Sequence, residues 1–318
     1  MLVPIARFTP GMRALVSTGT GPTGFELAAV PEPEPAPDTA LIQVRAVSVN
    51  RGELTAAGTV PAGTRFGWDL AGVVVRAAAD GSGPEEGARV VGLSADRTAW
   101  AELVEVPTGV LARLPDAVSD EAAAALPVAG LTAFQILDLA APLLGRTVLV
   151  TGAGGGVGRF AVQLAALSGA AVVALVGSSA RGAGLEKLGA TLVATYESET
   201  QPVDVVLEGA GGDVFPRALG WLRPSGRVIV FGNSARTDQV LPAGWSREHP
   251  GTSVRFYYLL EELTRRSGSA DLALLVRLVA EGRLDPQVSV IARWDDAGDA
   301  LRQLQERQIN GKVVLTVG

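Results

Sequence analysis

Hydrophobic and polar positions alternate in two rhythms along the 318-residue chain, and the rhythm changes near Ser119. Before that point the apolar runs are short. Residues 12–16 read as a first strand, and residues 1–11 as an extension or an upstream start. The stretch Pro31-Glu-Pro-Glu-Pro-Ala-Pro37 excludes helix and central strand and predicts an extended, polyproline-like crossing. Over residues 41–49, Ile42, Val44 and Ala46 alternate with Gln43 and Arg45, as a half-buried strand does. Residues 71–77, 88–92 and 100–106 are further short strands broken by glycine and proline, with the spacing of a partly open barrel.

After Ser119 the periods lengthen. Ser119-Asp-Glu-Ala-Ala-Ala reads as a capped helix start, and residues 127–139 as a second helix. Then strand and helix alternate: strand 147–151, helix 159–168, strand 171–176, a helix near 181–188, strands 191–194 and 204–208, a helix near 213–222 and strand 227–231. This order predicts a doubly wound α/β domain, an open parallel sheet with helices on both faces. Helices near 256–266 and 270–281, strand 288–291, helix 295–307 and strand 312–317 complete the chain. The last strands are expected to return to the first domain. A nucleotide-type domain at 126–264 is then inserted in a discontinuous, mainly β domain at 1–125 and 265–318. No tandem repeat is present.

The segment 147–187 organises the rest. Val148, Leu149 and Val150 are too few for a helix and read as a buried parallel strand. Gly152, Gly154, Gly155, Gly156 and Gly158 follow. Next, Phe160, Val162, Leu164, Ala165 and Leu167 supply the buried side of a helix that Gly169 stops. Strand, glycine turn, helix and strand form the unit that cradles a dinucleotide pyrophosphate. Strict Gly-x-Gly-x-x-Gly fails, because counting from Gly152 puts Val157 at the last position. Counting from Ala153 gives Ala-x-Gly-x-x-Gly, with Gly155 and Gly158 in place.

An NAD site carries an acid roughly 20 residues into the motif, on the ribose 2′-hydroxyl. Here no carboxylate lies between Gly152 and Arg181, and the first is Glu186. Ser178, Ser179 and Arg181 instead suit the 2′-phosphate of NADPH. A solvated loop without acid is the plain alternative.

Composition narrows the chemistry. The apolar fraction is 47%, the net charge is −6 and there is no basic cluster, which argues for a globular protein and against nucleic acid as a partner. No apolar run approaches the ~20 residues of a membrane helix, and the N-terminus lacks a secretory segment. The expected location is the cytoplasm. Cysteine is absent and His249 is the only histidine, so disulfides, cysteine nucleophiles and Cys/His zinc sites are excluded. A serine–histidine triad would have to use His249, beside Pro250 in a loop. The chemistry must be carried largely by a cofactor.

Six stretches resemble the medium-chain dehydrogenase/reductase superfamily, and within it the zinc-free quinone oxidoreductase (zeta-crystallin-like) branch. They are Val49-Asn-Arg-Gly-Glu53, Gly67-Trp-Asp-Leu-Ala-Gly72, Leu126-Pro-Val-Ala-Gly-Leu-Thr-Ala133, Val148-Leu-Val-Thr-Gly-Ala-Gly-Gly-Gly-Val-Gly158, Phe231-Gly-Asn-Ser234 and Gly311-Lys-Val-Val-Leu315. The family's zinc-dependent alcohol dehydrogenases carry a cysteine in the segment matching Asn50 and a histidine in that matching Trp68. Neither ligand exists here. The resemblance implies a GroES-like catalytic domain holding the inserted Rossmann-type domain. It also implies NADPH-dependent reduction of a quinone or of a carbon–carbon double bond conjugated to a carbonyl, and a homodimer.

Carried over by position, Asn50 matches the active-site asparagine, although Asn before Arg-Gly also suits a turn. Thr132 matches the residue approaching the nicotinamide, or is an ordinary helix threonine. Ala153, Gly154, Gly155, Gly156 and Val157 match the pyrophosphate loop. Ser178, Ser179 and Arg181 match the 2′-phosphate site, and Tyr196 a tyrosine near the adenosine phosphate. Phe231, Gly232, Asn233 and Ser234 follow a parallel strand at its ligand-binding end. Asn310 and Lys312 lie in a closing segment that often touches the cofactor, with a solvated charge as the alternative for Lys312. Glu53 stands where the family has its acidic partner, no proton-donating tyrosine is evident nearby, and Arg255-Phe-Tyr-Tyr258 could line a pocket, fill the core or meet a second subunit. Two other readings remain: an enoyl-thioester reductase of a polyketide or fatty-acyl pathway, and a non-catalytic NADPH-binding protein.

Overall fold

The computed structural model describes residues 11–21 and 23–318. Of the stretch 1–11, only Gly11 is among them. Strands β1 (Gly11–Ser17) and β2 (Phe25–Pro31) pair antiparallel. Next come β3 (Thr39–Val49), α1 (Arg51–Ala57), β4 (Asp69–Arg76), β5 (Arg89–Leu93), β6 (Leu103–Pro107), β7 (Leu111–Arg113) and α2 (Asp120–Ala124). Ser119 caps α2 as its spacing predicts, its hydroxyl accepting from Ala122 N–H at 3.1 Å.

The second texture begins with α3 (Pro127–Ala140), β8 (Thr147–Thr151), α4 (Gly156–Leu167), β9 (Ala171–Val176), β10 (Ala190–Thr195) and β11 (Val203–Glu208). It continues through α5 (Val214–Gly220), β12 (Leu222–Val230), α6 (Trp245–Glu248), β13 (Ser253–Phe256), α7 (Leu259–Arg265) and α8 (Ser269–Ala280). The chain closes with β14 (Val288–Arg293), α9 (Gly298–Gln305) and β15 (Lys312–Thr316).

Two compact units result. One holds the chain up to Pro127 with Val290–Gln308 and Val313–Gly318, and the other holds Val128–Ser289 and Ile309–Lys312. In the first, described strands form a sheet ordered β14-β15-β3-β4-β5-β7, with β6 also on β3, and the pairs from β15 to β7 run antiparallel. In the second, the order is β10-β9-β8-β11-β12-β13, with parallel pairing throughout. Val148–Val150, Val172–Val176 and Val205–Leu207 are buried on both faces, as the central strands of a covered parallel sheet must be. This is a Rossmann-type doubly wound sheet inserted in a mainly β, GroES-like domain.

Several elements differ from the sequence expectation. The return to the first unit comes at Val290, not near residue 265. Residues after 265 stay with the second unit because they are bonded to it: Gln135 Nε2 donates to Asp271 Oδ2 at 2.7 Å, and Asp285 N–H to Gln163 Oε1 at 2.8 Å. No helix spans 181–188. A 3-10 turn at Ser179–Gly182 runs into further turns, with Gly184 and Gly189 at φ +82° and +105°. The helix expected from 256 begins at Leu259, after the edge strand β13, all four of whose residues are exposed. On α4, Leu167 is 45% exposed, whereas Arg159 and Gln163 are buried.

Candidate functional site

In the second unit, β8 ends at Thr151, and the glycine loop passes into α4 with Gly155 at the cap position. A Cβ on Gly158 would lie 2.5 Å from the Gly152 carbonyl oxygen and 2.6 Å from Ala153 Cα, so only glycine lets α4 sit this close to the loop. A Cβ on Gly154 would collide with the Arg181 carbonyl oxygen. At Gly155 it would meet only the Gly152 carbonyl oxygen, at 3.4 Å. Ala153 is buried, while Gly155, Gly156 and Val157 are half-buried. The N-terminal turn of α4, free of acidic residues, therefore carries unbonded N–H groups and a partial positive charge at this loop.

The carboxyl end of β9 gathers the side chains singled out for the 2′-phosphate. Ser178 and Ser179 are exposed. The Tyr196 ring lies against Gly177, and its N–H bonds the Val176 carbonyl at 3.0 Å. Arg181 turns its guanidinium onto two carbonyl oxygens, those of Ile309 and Gly154. Asn310 Nδ2 donates to the Ala180 carbonyl at 3.0 Å, and its Oδ1 is enclosed without a partner. Lys312 is no solvated charge: it is 2% exposed, and its Cδ lies 3.0 Å from where a Gly156 Cβ would stand. Arg159, which sequence reasoning passed over, is buried beside this group and donates to Gln287 Oε1 at 2.7 Å and to the Ala183 carbonyl. Burial, then the Arg181 charge, holds its pKa below the usual guanidinium range. Thr132 lies within α3, 6% exposed.

At the ends of β11 and β12 the polar side chains bond the surrounding loops. The Phe231 ring covers Gly209, where a Cβ would lie 2.5 Å from it. Asn233 Nδ2 donates to the Thr237 carbonyl at 2.7 Å, its Oδ1 accepts from Arg236 N–H at 3.0 Å, and Ser234 Oγ donates to the Gly209 carbonyl at 2.9 Å. Gly232 packs near the same residue, with a Cβ position 3.3 Å from the Gly209 carbonyl oxygen. Beneath them sits Glu208, fully buried. Its Oε1 accepts from Thr151 Oγ1 at 3.0 Å and from the N–H groups of Ala210 and Gly211 at 2.9 Å, and its Oε2 accepts from Gln239 Nε2 at 3.0 Å. Burial pushes its pKa up, against these four bonds. The signal for Glu208 was its place: one acid closing a buried apolar strand.

The first unit holds a second polar cluster. Asn50 begins α1 rather than an isolated turn. Its Nδ2 donates to Asp69 Oδ2 at 2.8 Å. Glu53, in the first turn of α1, accepts from Asn50 N–H at 2.6 Å and from Trp68 N–H at 2.7 Å. Both acids are fully buried, and the Trp68 indole N–H is enclosed without a partner. A Cβ on Gly52 would lie 3.1 Å from the Trp68 ring, so glycine permits the approach. His249, by contrast, donates from Nδ1 to the Leu222 carbonyl, 2.6 Å away, and stacks on Trp245. Tyr257 is buried and donates to Gln135 Oε1 at 2.7 Å, whereas Phe256 and Tyr258 are exposed. Among the described residues, no group of three or more His, Cys, Asp or Glu side chains could hold a metal ion. No described helix is long and apolar enough to cross a membrane.

The chain belongs to the medium-chain dehydrogenase/reductase superfamily. Residues 36–116 match the alcohol dehydrogenase GroES-like domain, and residues 188–315 the zinc-binding dehydrogenase domain. Among solved structures, the quinone oxidoreductase from Coxiella burnetii superposes with a TM-score of 0.83 at 26% identity, over 97% of this chain and 100% of that one. Mycobacterial Rv1454c, solved in complex with NADPH, superposes with a TM-score of 0.84 at 26% identity, over 96% and 100%. The spectinabilin polyketide synthase protein NorB of Streptomyces orinoci is 33% identical over 95% of this chain, which spans 14% of its length.

Proposed function

We propose that this protein is a zinc-independent, NADPH-dependent reductase of quinones or conjugated enones, acting in the cytoplasm as a homodimer. The observation that carries the cofactor choice is the carboxyl end of β9, where Ser178, Ser179, Arg181 and Tyr196 stand and no carboxylate lies between Gly152 and Arg181. An NAD ribose would find no acid to receive its 2′-hydroxyl there, while a 2′-phosphate finds hydroxyls and a guanidinium. In this reading the pyrophosphate lies at Gly155 and the first turn of α4, whose N–H groups donate to it.

Bound NADPH supplies a hydride from C4 of its nicotinamide. The protein's part is orientation and electrostatics. Asp69 holds the Asn50 carboxamide by one N–H, which fixes the direction of the amide, and Glu53 anchors the backbone from which it projects. In this reading Asn50 donates to the oxygen of the substrate, where negative charge develops as hydride is added. The product oxygen or carbon takes its proton from water. The exposed edge strand β13, with Phe256 71% exposed and Tyr258 just beyond its end 67% exposed, supports the homodimer.

The similarity to NorB over 95% of the chain favours one further reading, reduction of an enoyl thioester. Following NADPH oxidation with 1,4-benzoquinone, 9,10-phenanthrenequinone, a simple enone and a crotonyl thioester separates the two. Turnover of quinone or enone is expected, turnover of the thioester alone replaces it, and tight NADPH binding with no turnover makes the protein a non-catalytic binder.

A further inference from the structure

We propose that Glu208 sets a fixed negative charge beneath the nicotinamide half of the cofactor, so that this chain favours the oxidised form over the reduced form more than a neutral residue would allow. The inference rests on the cofactor reading above. The strand order reverses between β8 and β11, with β9 and β10 to one side and β12 and β13 to the other. In sheets of this kind the dinucleotide lies across the carboxyl ends of the strands at the switch, one nucleotide on each half. The β9 side carries the arginine and serines suited to the phosphorylated ribose, which leaves the β11–β12 side for the nicotinamide nucleotide.

Thr151 and Glu208 are the last residues of the two switch strands, bonded to each other at 3.0 Å. Each of the four bonds at the Glu208 carboxyl comes from a donor: the Thr151 hydroxyl, the Ala210 and Gly211 N–H groups, and the Gln239 amide. Two of these, the Ala210 and Gly211 backbone N–H groups, can only donate, and so favour the anion. These bonds hold the carboxylate against the burial that raises its pKa. Among the described residues no guanidinium or ammonium forms an ion pair with it.

The oxidised nicotinamide ring carries a positive charge that the reduced ring lacks. A buried anion therefore distinguishes the two forms without touching either. At an effective dielectric of about 20, a unit charge within roughly 12 Å of the ring changes their relative affinity about tenfold.

The test is titration of the intact protein with NADP+ and with NADPH, by calorimetry or nucleotide fluorescence, for wild type, Glu208→Gln and Glu208→Asp. In E208Q the Gln239 amide can rotate to accept from the new amide, so the bonding pattern is kept and only the charge is lost. Its ratio of NADP+ to NADPH dissociation constants is expected to rise about tenfold, which makes the bound couple about 30 mV more positive. E208D, which keeps the charge, should hold the ratio within about twofold of wild type. Equal weakening of both forms in E208Q would reduce Glu208 to a brace for its loops and overturn the proposal. Should E208Q fail to fold, E208D decides: a retained ratio supports the proposal, and a tenfold rise despite the retained charge overturns it. A wild-type protein that binds neither nucleotide would reject the cofactor reading itself, a result distinct from binding without discrimination in the variants.

Discussion

The two halves of the parallel sheet end differently at their carboxyl edges. At β9 the polar groups lie on or near the surface, as Ser178, Ser179, Tyr196 and the Arg181 guanidinium. At β11 and β12 Thr151 and Glu208 are buried, and the exposed Asn233 and Ser234 bond neighbouring backbone, so the polar groups hold the loops. Surface side chains adjust what is bound at small cost to the fold. Inward ones fix the loops, so their loss is felt first as stability.

The sharpest break of that contrast is Glu208→Ala. It strands the Gly211 N–H group and the Thr151 hydroxyl proton and leaves Ala210 N–H and the Gln239 amide only their long bonds to Thr151 Oγ1 at 3.3 Å and the Gly232 carbonyl at 3.5 Å, and each buried unpaired donor costs about 1–3 kcal/mol. Urea denaturation should show a loss of at least about 3 kcal/mol, and an unchanged midpoint would make this half as tolerant as the other. Gly158→Ala is next. The new Cβ meets backbone at 2.5 Å and 2.6 Å, so α4 must shift, with a cost of about 1–3 kcal/mol by the same assay and weaker binding of both NADPH and NADH.

On the β9 side, Arg181→Ala should weaken NADPH about tenfold, the worth of one charge-assisted bond, and leave NADH nearly unchanged. Arg181 also bonds the Ile309 and Gly154 carbonyls. Equal losses for both nucleotides would make that bracing its whole role. The smallest effect is on pH. Burial raises the Glu208 pKa above its unfolded value, so its contribution to stability is full below the ordinary carboxylate range and declines as pH rises through the folded pKa. E208Q lacks that decline. Its stability relative to wild type should climb between the two pKa values and then level off, as urea melts across acidic to neutral pH would record. A difference that is flat with pH would show that burial and hydrogen bonding cancel at this carboxylate.

Much of this was legible in the chain. Short β-branched runs at residues 148–150 and 172–176 could only be buried strands, and both are. The shifted glycine motif marked the loop at Gly155 and Gly158, and the missing acid after it singled out Ser178, Ser179 and Arg181. The helix expected at 181–188 failed because Gly184 and Gly189 adopt positive φ, which period alone does not reveal. Strand β13 was hidden because its residues are exposed on an edge, with no alternation to betray it.

The order of strands and helices, the phosphate loop and the exclusion of cysteine chemistry follow from residues close in sequence, since period, glycine spacing and composition are local properties. The burial of Glu208 and Lys312, the turn of Arg181 onto Ile309, and the grip of Asp69 on Asn50 do not. Thr151 and Glu208 stand 57 positions apart, and Arg181 and Ile309 128 apart. Whether such a charged group faces water or a partner is decided only when the folded chain closes those distances, because its energy depends on its surroundings and not on its neighbours in sequence.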